Sequence, residues 1–387
     1  MSGKTQKDVA VIKDKAKKIK AWLNKYKLWL AGIIFLIMLF PFILVFINKI
    51  IGLNIEKLKN FNIAWKDLLA PWVAIWAGSI AAYSVVQMQK RITMQEKQQS
   101  DTRFSSGVEL LGHGHKHEST RIGGIYNLFF LANENSNEYL DTVCEILCVH
   151  IISIINENGY KKKYREKPSH EIQTILNLLF IKDKNGKLIF DNCSKNLRGT
   201  FLCGANFDGA TLSNADFREA ELSKVNFSRA ELSKVNFSGA KLSDTCFSGA
   251  KLSSVDFLVA KLSSVDFRKA TLCRAYFRGT TFSGTDFREA ILIDAFFFGA
   301  TLIDAYFSKA KLSSADFRGT TLIDADFRGA TLSSADFFGA KLSNADFSNA
   351  KLEDGVSFYK TKLQNCNYKE ITSPGCSLKS TKPDKNK

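Results

Sequence analysis

From Leu197 to Leu352 every fifth residue is Leu or Phe, 32 consecutive positions in one register. The residue two before each is small, as at Ala205, Ala210, Ala215 and Ala220, with Val225, Val235, Thr245 and Thr285 as enlargements. Positions two apart share one face of a strand, but five is odd, so a straight strand would invert its inward side at every unit. The chain must turn after each three-residue piece, and Gly at the second position after the centre (Gly209, Gly239, Gly249) suits such a corner. Pieces this short have no stability alone and must stack on copies of themselves to satisfy their backbone groups. Leu and Phe alternate strictly through most of the run, so an even number of faces puts like over like. Two faces leave no interior and six leave a void, which predicts four faces and twenty residues per coil. The interior then holds one Phe column through Phe207, Phe227 and Phe247, another through Phe217, Phe237 and Phe257, and two Leu columns, with Phe282 an exception in one of them. The beat slips by one residue at Gly355 and resumes at Phe358, Leu363 and Tyr368. The 35 units predict about nine coils, roughly 42 Å long at the ~4.8 Å strand spacing.

The first quarter of the chain has a different pattern. Leu28 to Asn48 is a run of 21 residues without a charge, and Leu68 to Gln89 a run of 22 that carries Trp72, Trp76 and Tyr83. Their lengths match the bilayer hydrocarbon and their aromatics suit its interfaces, which predicts two transmembrane helices forming a hairpin. Pro41 is tolerable in such a span. Nine Lys precede the first run, four lie between the runs, and Lys90 and Arg91 follow the second. That balance predicts a multi-pass protein of the cell inner membrane, in contact with membrane lipid and with both termini cytoplasmic. Between residues 91 and 190, helical periodicity at Phe104 to Leu111, Ile122 to Leu131, Leu140 to Ile155 and Ile172 to Phe180 predicts a small α-helical domain.

Charge refines this division. Lys plus Arg number 54 against 38 Asp plus Glu, a net +16, yet residues 197–370 hold 22 basic against 20 acidic. The excess lies mostly at the two ends, which argues against a nucleic-acid binder with a basic stripe on its folded domain. Eight Cys without C-x-x-C or zinc-ligand spacing predict reduced thiols rather than a disulfide framework. Cys144 and Cys148 share a helix face and read as core packing. His113, His115 and His117 alternate with Gly114 and Lys116; an extended loop there could hold a transition metal, but no fourth ligand is evident and a polar loop between two helices is the better reading. The basic run Lys161 to Lys167 reads as a solvated loop or a contact for anionic lipid. No phosphate loop, nucleophile elbow or paired catalytic carboxylates occur. The Asp before Phe, as at Asp216, Asp256 and Asp266, read as outer decoration that solvates the surface and hydrogen-bonds the corners. No enzyme and no cofactor are expected.

The units Ala-Asp-Phe-Arg-Gly, Ala-Thr-Leu-Ser-Ser and Ala-Lys-Leu-Ser-Asn resemble the A(D/N)Lxx motif of the pentapeptide repeat family. That resemblance implies a right-handed quadrilateral β-helix, and the handedness rests on it alone. The block from Arg103-Phe104 through Leu110-Leu111-Gly112 and Arg121-Ile122-Gly123-Gly124-Ile125-Tyr126-Asn127-Leu128 to Leu140 and Glu145-Ile146-Leu147 is similar to a helical region found between a membrane hairpin and such repeats in bacterial proteins of no settled function. The domains expected are a basic cytoplasmic N-terminus (1–27), a hairpin (28–90), a helical linker (91–190), the pentapeptide repeat β-helix (191–370) and a flexible basic tail (371–387).

Apolar residues at outward positions cluster in the middle coils: Tyr276, Ile291, Ile293, Phe296, Phe298, Ile303 and Tyr306, with Leu258 and Phe338 in the columns of the Phe277 and Phe297 face. A contiguous apolar surface of this kind marks an interaction site. The expected function is therefore a membrane-anchored scaffold that displays a rigid solenoid to an unidentified protein partner or to copies of itself. The alternative is a regulatory or toxic membrane effector whose hairpins assemble and disturb the bilayer. A third reading, from family members that imitate DNA and bind topoisomerase, is opposed by the near-neutral repeat.

Overall fold

The structure is a computed structural model that describes residues 65–112, 117–182, 185–213, 215–352 and 355–367. The chain divides into two units, 1–91 and 92–387. The described part of the first is helical and belongs to α1 (Trp65–Leu111). Among the described residues no helix is long and apolar enough to cross a membrane. The second uncharged run falls within α1 but is diluted by Ala, Gly, Ser and Gln, among them Ala70, Ala74, Ala77, Gly78, Ser79, Ser84 and Gln87. Absence of charge is not apolarity, and small or amide side chains gain little from transfer to hydrocarbon. The first run, 28–48, lies outside the described residues. The two transmembrane helices, the multi-pass inner-membrane location, the lipid partner and the bilayer-disturbing hairpin are corrected accordingly.

In the second unit the end of α1 packs with α2 (Glu118–Glu134), α3 (Ser136–Ile155), the single turn α4 (Tyr160–Lys163) and α5 (His170–Phe180). Ile125, Leu128, Val143, Leu147, Ile151, Ile172 and Ile175 close its core. Glycine sets the crossing of α1 and α2. A Cβ on Gly124 would meet the Leu110 Cβ at 2.8 Å and the Gly107 carbonyl at 2.9 Å, so only bare backbone permits this approach. The Ser169 hydroxyl accepts from the Ile172 amide at 3.3 Å and starts α5 after Pro168. Inside, Arg121 donates to both oxygens of Glu171 at 2.6 to 3.0 Å, while His150 Nε2 lies 2.7 Å from the first of them. Burial works against ionisation of Glu171, but the His150 and Arg121 hydrogen bonds outweigh it and hold its carboxyl below the usual range. The three side chains brace α2, α3 and α5 together.

Parallel pairing at an interval of 20 residues runs through the repeat, from Phe201↔Glu221 to Thr331↔Lys351. The strands β1 (Lys195–Asn196) and β2 (Ala215–Asp216) pair at the entrance. Seven more make one parallel sheet in sequence order: β3 (Lys241–Ser243), β4 (Lys261–Ser263), β5 (Thr281–Ser283), β6 (Thr301–Ile303), β7 (Thr321–Ile323), β8 (Lys341–Ser343) and β9 (Lys362–Gln364). The last pairing, Lys341↔Lys362, spans 21 residues and absorbs the slip at Gly355. Phe207, Phe227 and Phe247 stack with centroids 5.0 and 4.9 Å apart, and Phe217, Phe237 and Phe257 at 5.4 and 5.1 Å. The two columns meet edge to face, as Phe227 and Phe237 do at 5.8 Å. The solenoid has about eight turns rather than nine.

Each corner places its residue at positive φ. Gly209 sits at 65°, but Glu219 at 60° and Lys224 at 60° adopt the same conformation. The Ala210 amide donates to the Phe207 carbonyl at 3.0 Å across one such turn. A solenoid of this kind has open edges at its ends, and α5 covers the first. The Gln173 side-chain amide donates to the Asn206 carbonyl at 2.9 Å and its oxygen accepts from the Asn206 amide at 3.0 Å, standing in for a missing coil. The Thr211 amide donates to the Phe180 carbonyl at 2.8 Å, and the Phe180 ring stands edge-on to Phe207 at 5.6 Å. The basic run docks here too: Lys161 lies 3.5 Å from Glu221 and Lys224 pairs with Glu166 at 2.5 Å. Gly204 lies so close to the Glu166 carbonyl that a Cβ would stand 1.7 Å from it.

Lys195 occupies a slot that later coils give to Ala, and it is wholly buried. The helical block lies over the open end, so the long side chain extends inward, and Nζ donates to the Asp191 and Cys193 carbonyls at 3.2 and 3.1 Å. Cys144, Cys148 and Cys193 are buried around it. Burial pushes the Cys193 thiol up to about 12 and the Lys195 ammonium down from its ordinary 10.5. A lysine depressed in the folded state makes the unfolded chain bind more protons, so its stability contribution rises with pH between the depressed value and 10.5. Wild type should therefore gain on Lys195→Met as pH climbs through that window in denaturant unfolding. A difference between the two proteins that is flat with pH would contradict this.

Candidate interaction surface on the solenoid

On each face the central residue points in and its two neighbours point out. The residue before the centre is commonly Asp or Asn, and its side-chain oxygen accepts from the amide just after the centre. Arg218, Leu258 and Arg268 donate in this way to Asp216, Asp256 and Asp266 at 3.0, 2.8 and 2.9 Å. The periodic Asp thus hold the corners, as Asx turns do elsewhere. Where Arg follows the centre it also grips the same carboxylate through two nitrogens: Arg268 Nε and Nη2 reach Asp266 at 2.9 and 2.7 Å, and Arg318 reaches Asp316 at 2.8 Å twice. The Arg218 hydrogen bond is the main cause that lowers the Asp216 carboxyl. At Asp266 and Asp326 burial opposes ionisation, but the Arg268 and Arg328 bonds outweigh it.

Tyr276, Phe296 and Tyr306 take this position without a side-chain acceptor. Residues twenty apart share a face, so Tyr276 and Phe296 are vertical neighbours, and their rings stack at 5.0 Å with 8° between planes. Phe298 lies beside them, with the Arg278 guanidinium 5.5 Å and the Arg318 guanidinium 5.8 Å from its ring centre. Leu258 and Phe338 extend the same face, and the Phe338 ring lies 5.7 Å from Tyr359. Leu258, Tyr276, Phe296, Phe298, Tyr306, Phe338 and Tyr359 are all exposed.

The other expected residues fall elsewhere. Ile291 and Ile293 lie on the adjoining face, Ile293 next to the corner that leads to Phe296, and Ile291 is half-buried. Ile303 is half-buried on β6. Tyr306 belongs to the opposite face, because Phe297 and Phe307 meet inside at 5.9 Å and their outward neighbours therefore diverge. The nine candidates thus divide among the faces; Leu258, Tyr276, Phe296, Phe298 and Phe338 share one face, on which Tyr276 and Phe296 stack directly.

Two participants escape a search for bulky apolar residues at the middle coils. Val259 is 59% exposed beside Leu258 and sits at a corner with φ 50°. A β-branched residue is strained there, so strain is retained where an apolar side chain faces outward. Arg278 is the other; its signal is that Tyr276 replaces the Asp that would neutralise it.

A second candidate is a cavity of about 270 Å³ in the helical block, lined by Glu118, Arg121, Tyr160, Tyr164, Ser169 and Glu171. Its buried carboxylate already receives Arg121 and His150, which fits a brace rather than a reactive group. Among the described residues no cluster of His, Cys, Asp or Glu could hold a metal. His113 and His115 lie outside the described residues.

Residues 270–347 match the family model of a pentapeptide repeat region, and 196–223, 220–257 and 332–367 match pentapeptide repeats. No curated protein matches the chain. Similar solved structures include a trypsin-treated variant of QnrB1, a plasmid-mediated fluoroquinolone resistance protein, at 26% identity over 43% of this chain and 81% of that one, with a TM-score of 0.34. HetL, a pentapeptide repeat protein involved in heterocyst differentiation regulation in Nostoc sp. strain PCC 7120, is 27% identical over 44% and 86%, with a TM-score of 0.26. A pentapeptide repeat protein of the Arabidopsis thaliana thylakoid lumen is 33% identical over 27% and 70%, with a TM-score of 0.17.

Phe296→Asp restores the corner acceptor, so the variant should equal wild type or exceed it by up to about 1 kcal/mol in denaturant unfolding. A large loss would mean that the ring serves the fold. Val259→Gly should stabilise by about 1 kcal/mol through relief of the corner; an unchanged or lower midpoint would show the corner unstrained.

Proposed function

We propose that this chain, whose repeat is a pentapeptide-repeat β-solenoid, works as an interaction scaffold that offers the face around Tyr276, Phe296 and Phe298 to a protein partner. One observation carries the reading. Coils on either side keep Asp256, Asp316 and Asp336 at the corner position, whereas the two between them exchange that acceptor for exposed, stacked rings. A residue that forgoes a local hydrogen bond and leaves apolar area in water is costly to the isolated fold. Covering by a partner recovers that cost.

The solenoid suits this work because its ladder and packed interior keep outward side chains at fixed spacing, so little freedom is lost on binding. The braced Arg121, Glu171 and His150 support a non-catalytic role for the helical block. Imitation of DNA is less well supported, since bidentate Arg partners neutralise Asp216, Asp266, Asp286, Asp316 and Asp326.

Crosslinking in cells followed by affinity purification compares wild type with the pair Phe296→Asp and Phe298→Asp. The variant should fold with an unfolding midpoint no lower than that of wild type and lose the crosslinked species. An identical crosslinking pattern in both proteins would refute the reading.

A further inference from the structure

We infer that the partner surface met by this face presents a carboxylate set among apolar side chains, on an acidic, aromatic-rich peptide segment that docks on Arg278. The inference rests on the interaction reading above and adds the chemistry of the partner. The sequence Asp-Phe-Arg recurs at 216–218, 266–268, 286–288, 316–318 and 326–328, and each Asp grips its own Arg. At 276–278 the unit reads Tyr-Phe-Arg. Among the described residues, every other arginine of the solenoid is ion-paired to Asp or Glu. Arg278 instead lies over the Phe298 ring at 5.5 Å, with its backbone carbonyl held by the Val259 amide at 3.1 Å.

The exchange of Asp for Tyr at one position therefore does two things. It frees a guanidinium whose planar fork matches a carboxylate, and it supplies a ring that stacks on Phe296. The complement of one cation among aromatic rings is one anion among apolar groups. A peptide segment meets that description. A nucleic-acid strand does not, because it presents a charge at every phosphate and calls for a track of cations. Here the next arginine on the face, Arg318, is already shared between Asp316 and Asp336, and the next cation after it, Lys360, lies near the end of the solenoid over Phe338 and Tyr359, too far from Arg278 to form a track with it.

The test uses the full-length chain and a fluorescein-labelled peptide in which a Glu is flanked at alternate positions by Phe, beside the same peptide with Gln in place of Glu, and a labelled oligothymidylate. In fluorescence anisotropy the Glu peptide should bind about tenfold tighter than the Gln peptide, the margin of a charge-assisted hydrogen bond. Arg278→Gln should erase that margin and Arg318→Gln should preserve it. Equal affinity for the two peptides, absence of binding at millimolar peptide, or a margin that survives in Arg278→Gln would overturn the inference. So would oligothymidylate binding that exceeds the Glu peptide and depends on Arg278. The two readings fail separately: crosslinks that depend on Phe296 and Phe298 alongside equal Glu and Gln affinities would sink only the carboxylate, whereas crosslinks indifferent to those rings would sink the surface itself.

Discussion

Two columns of phenylalanine rings, stacked within each column and edge to face between them, set what every other part of the solenoid must do. From Phe277 to Phe347 the rings of each column repeat at 4.7 to 4.9 Å, as in Phe297 over Phe277 and Phe307 over Phe287. This is also the spacing at which parallel strands exchange hydrogen bonds. Side-chain packing and backbone pairing therefore demand the same rise, and the chain can satisfy both only by turning at each unit. The left-handed corner follows, and it is imposed on Lys, Glu and Arg as readily as on Gly. The cost of those corners is offset by a repeating interior in which each ring contacts the coils above and below.

A stack of identical coils has no natural beginning, and its first edge presents unpaired backbone groups. The helical block answers that edge with a glutamine amide that imitates a strand, a phenylalanine that continues the ring column and a lysine that fills the space where a preceding coil would lie. Glycines at 124 and 204 mark where backbone must approach without a side chain between, and Gly107 makes room for the Leu128 side chain. The close contact at Gly204 ties the basic run to the first coil, where Lys161 and Glu166 pair across to Glu221 and Lys224.

Because the centre and the small residue before it are committed to the interior, recognition is left to the positions on either side of the centre. Their default occupant is an acid that bonds the corner and pairs with arginine, which gives an outer surface that is polar, neutralised and locally satisfied. Departures from the default stand out against it. Tyr276, Phe296 and Val259 each accept a local cost, a missing acceptor or a strained corner, and Leu258, Phe298 and Phe338 expose apolar area on the same face.

The five-residue beat by itself determined the corners, the four faces, the identity of the inward columns and the slip at Gly355, because a period of five admits so few ways to keep one side of the chain inward. It also marked the outward apolar residues, but not which of them meet. Only the closed square decided that the Tyr276 and Phe296 rings stack and that Arg278 lies over an aromatic ring with no acid of its own. Lys195 was illegible for the same reason: nothing local distinguishes a buried lysine from an exposed one until the helical block covers the end of the stack. The uncharged run in α1 misled in the opposite direction, since charge can be counted along a chain whereas the apolarity needed to enter a bilayer depends on what the small and amide side chains contribute. Period is a local property that sequence carries in full; adjacency across coils and at the capped end is created by folding.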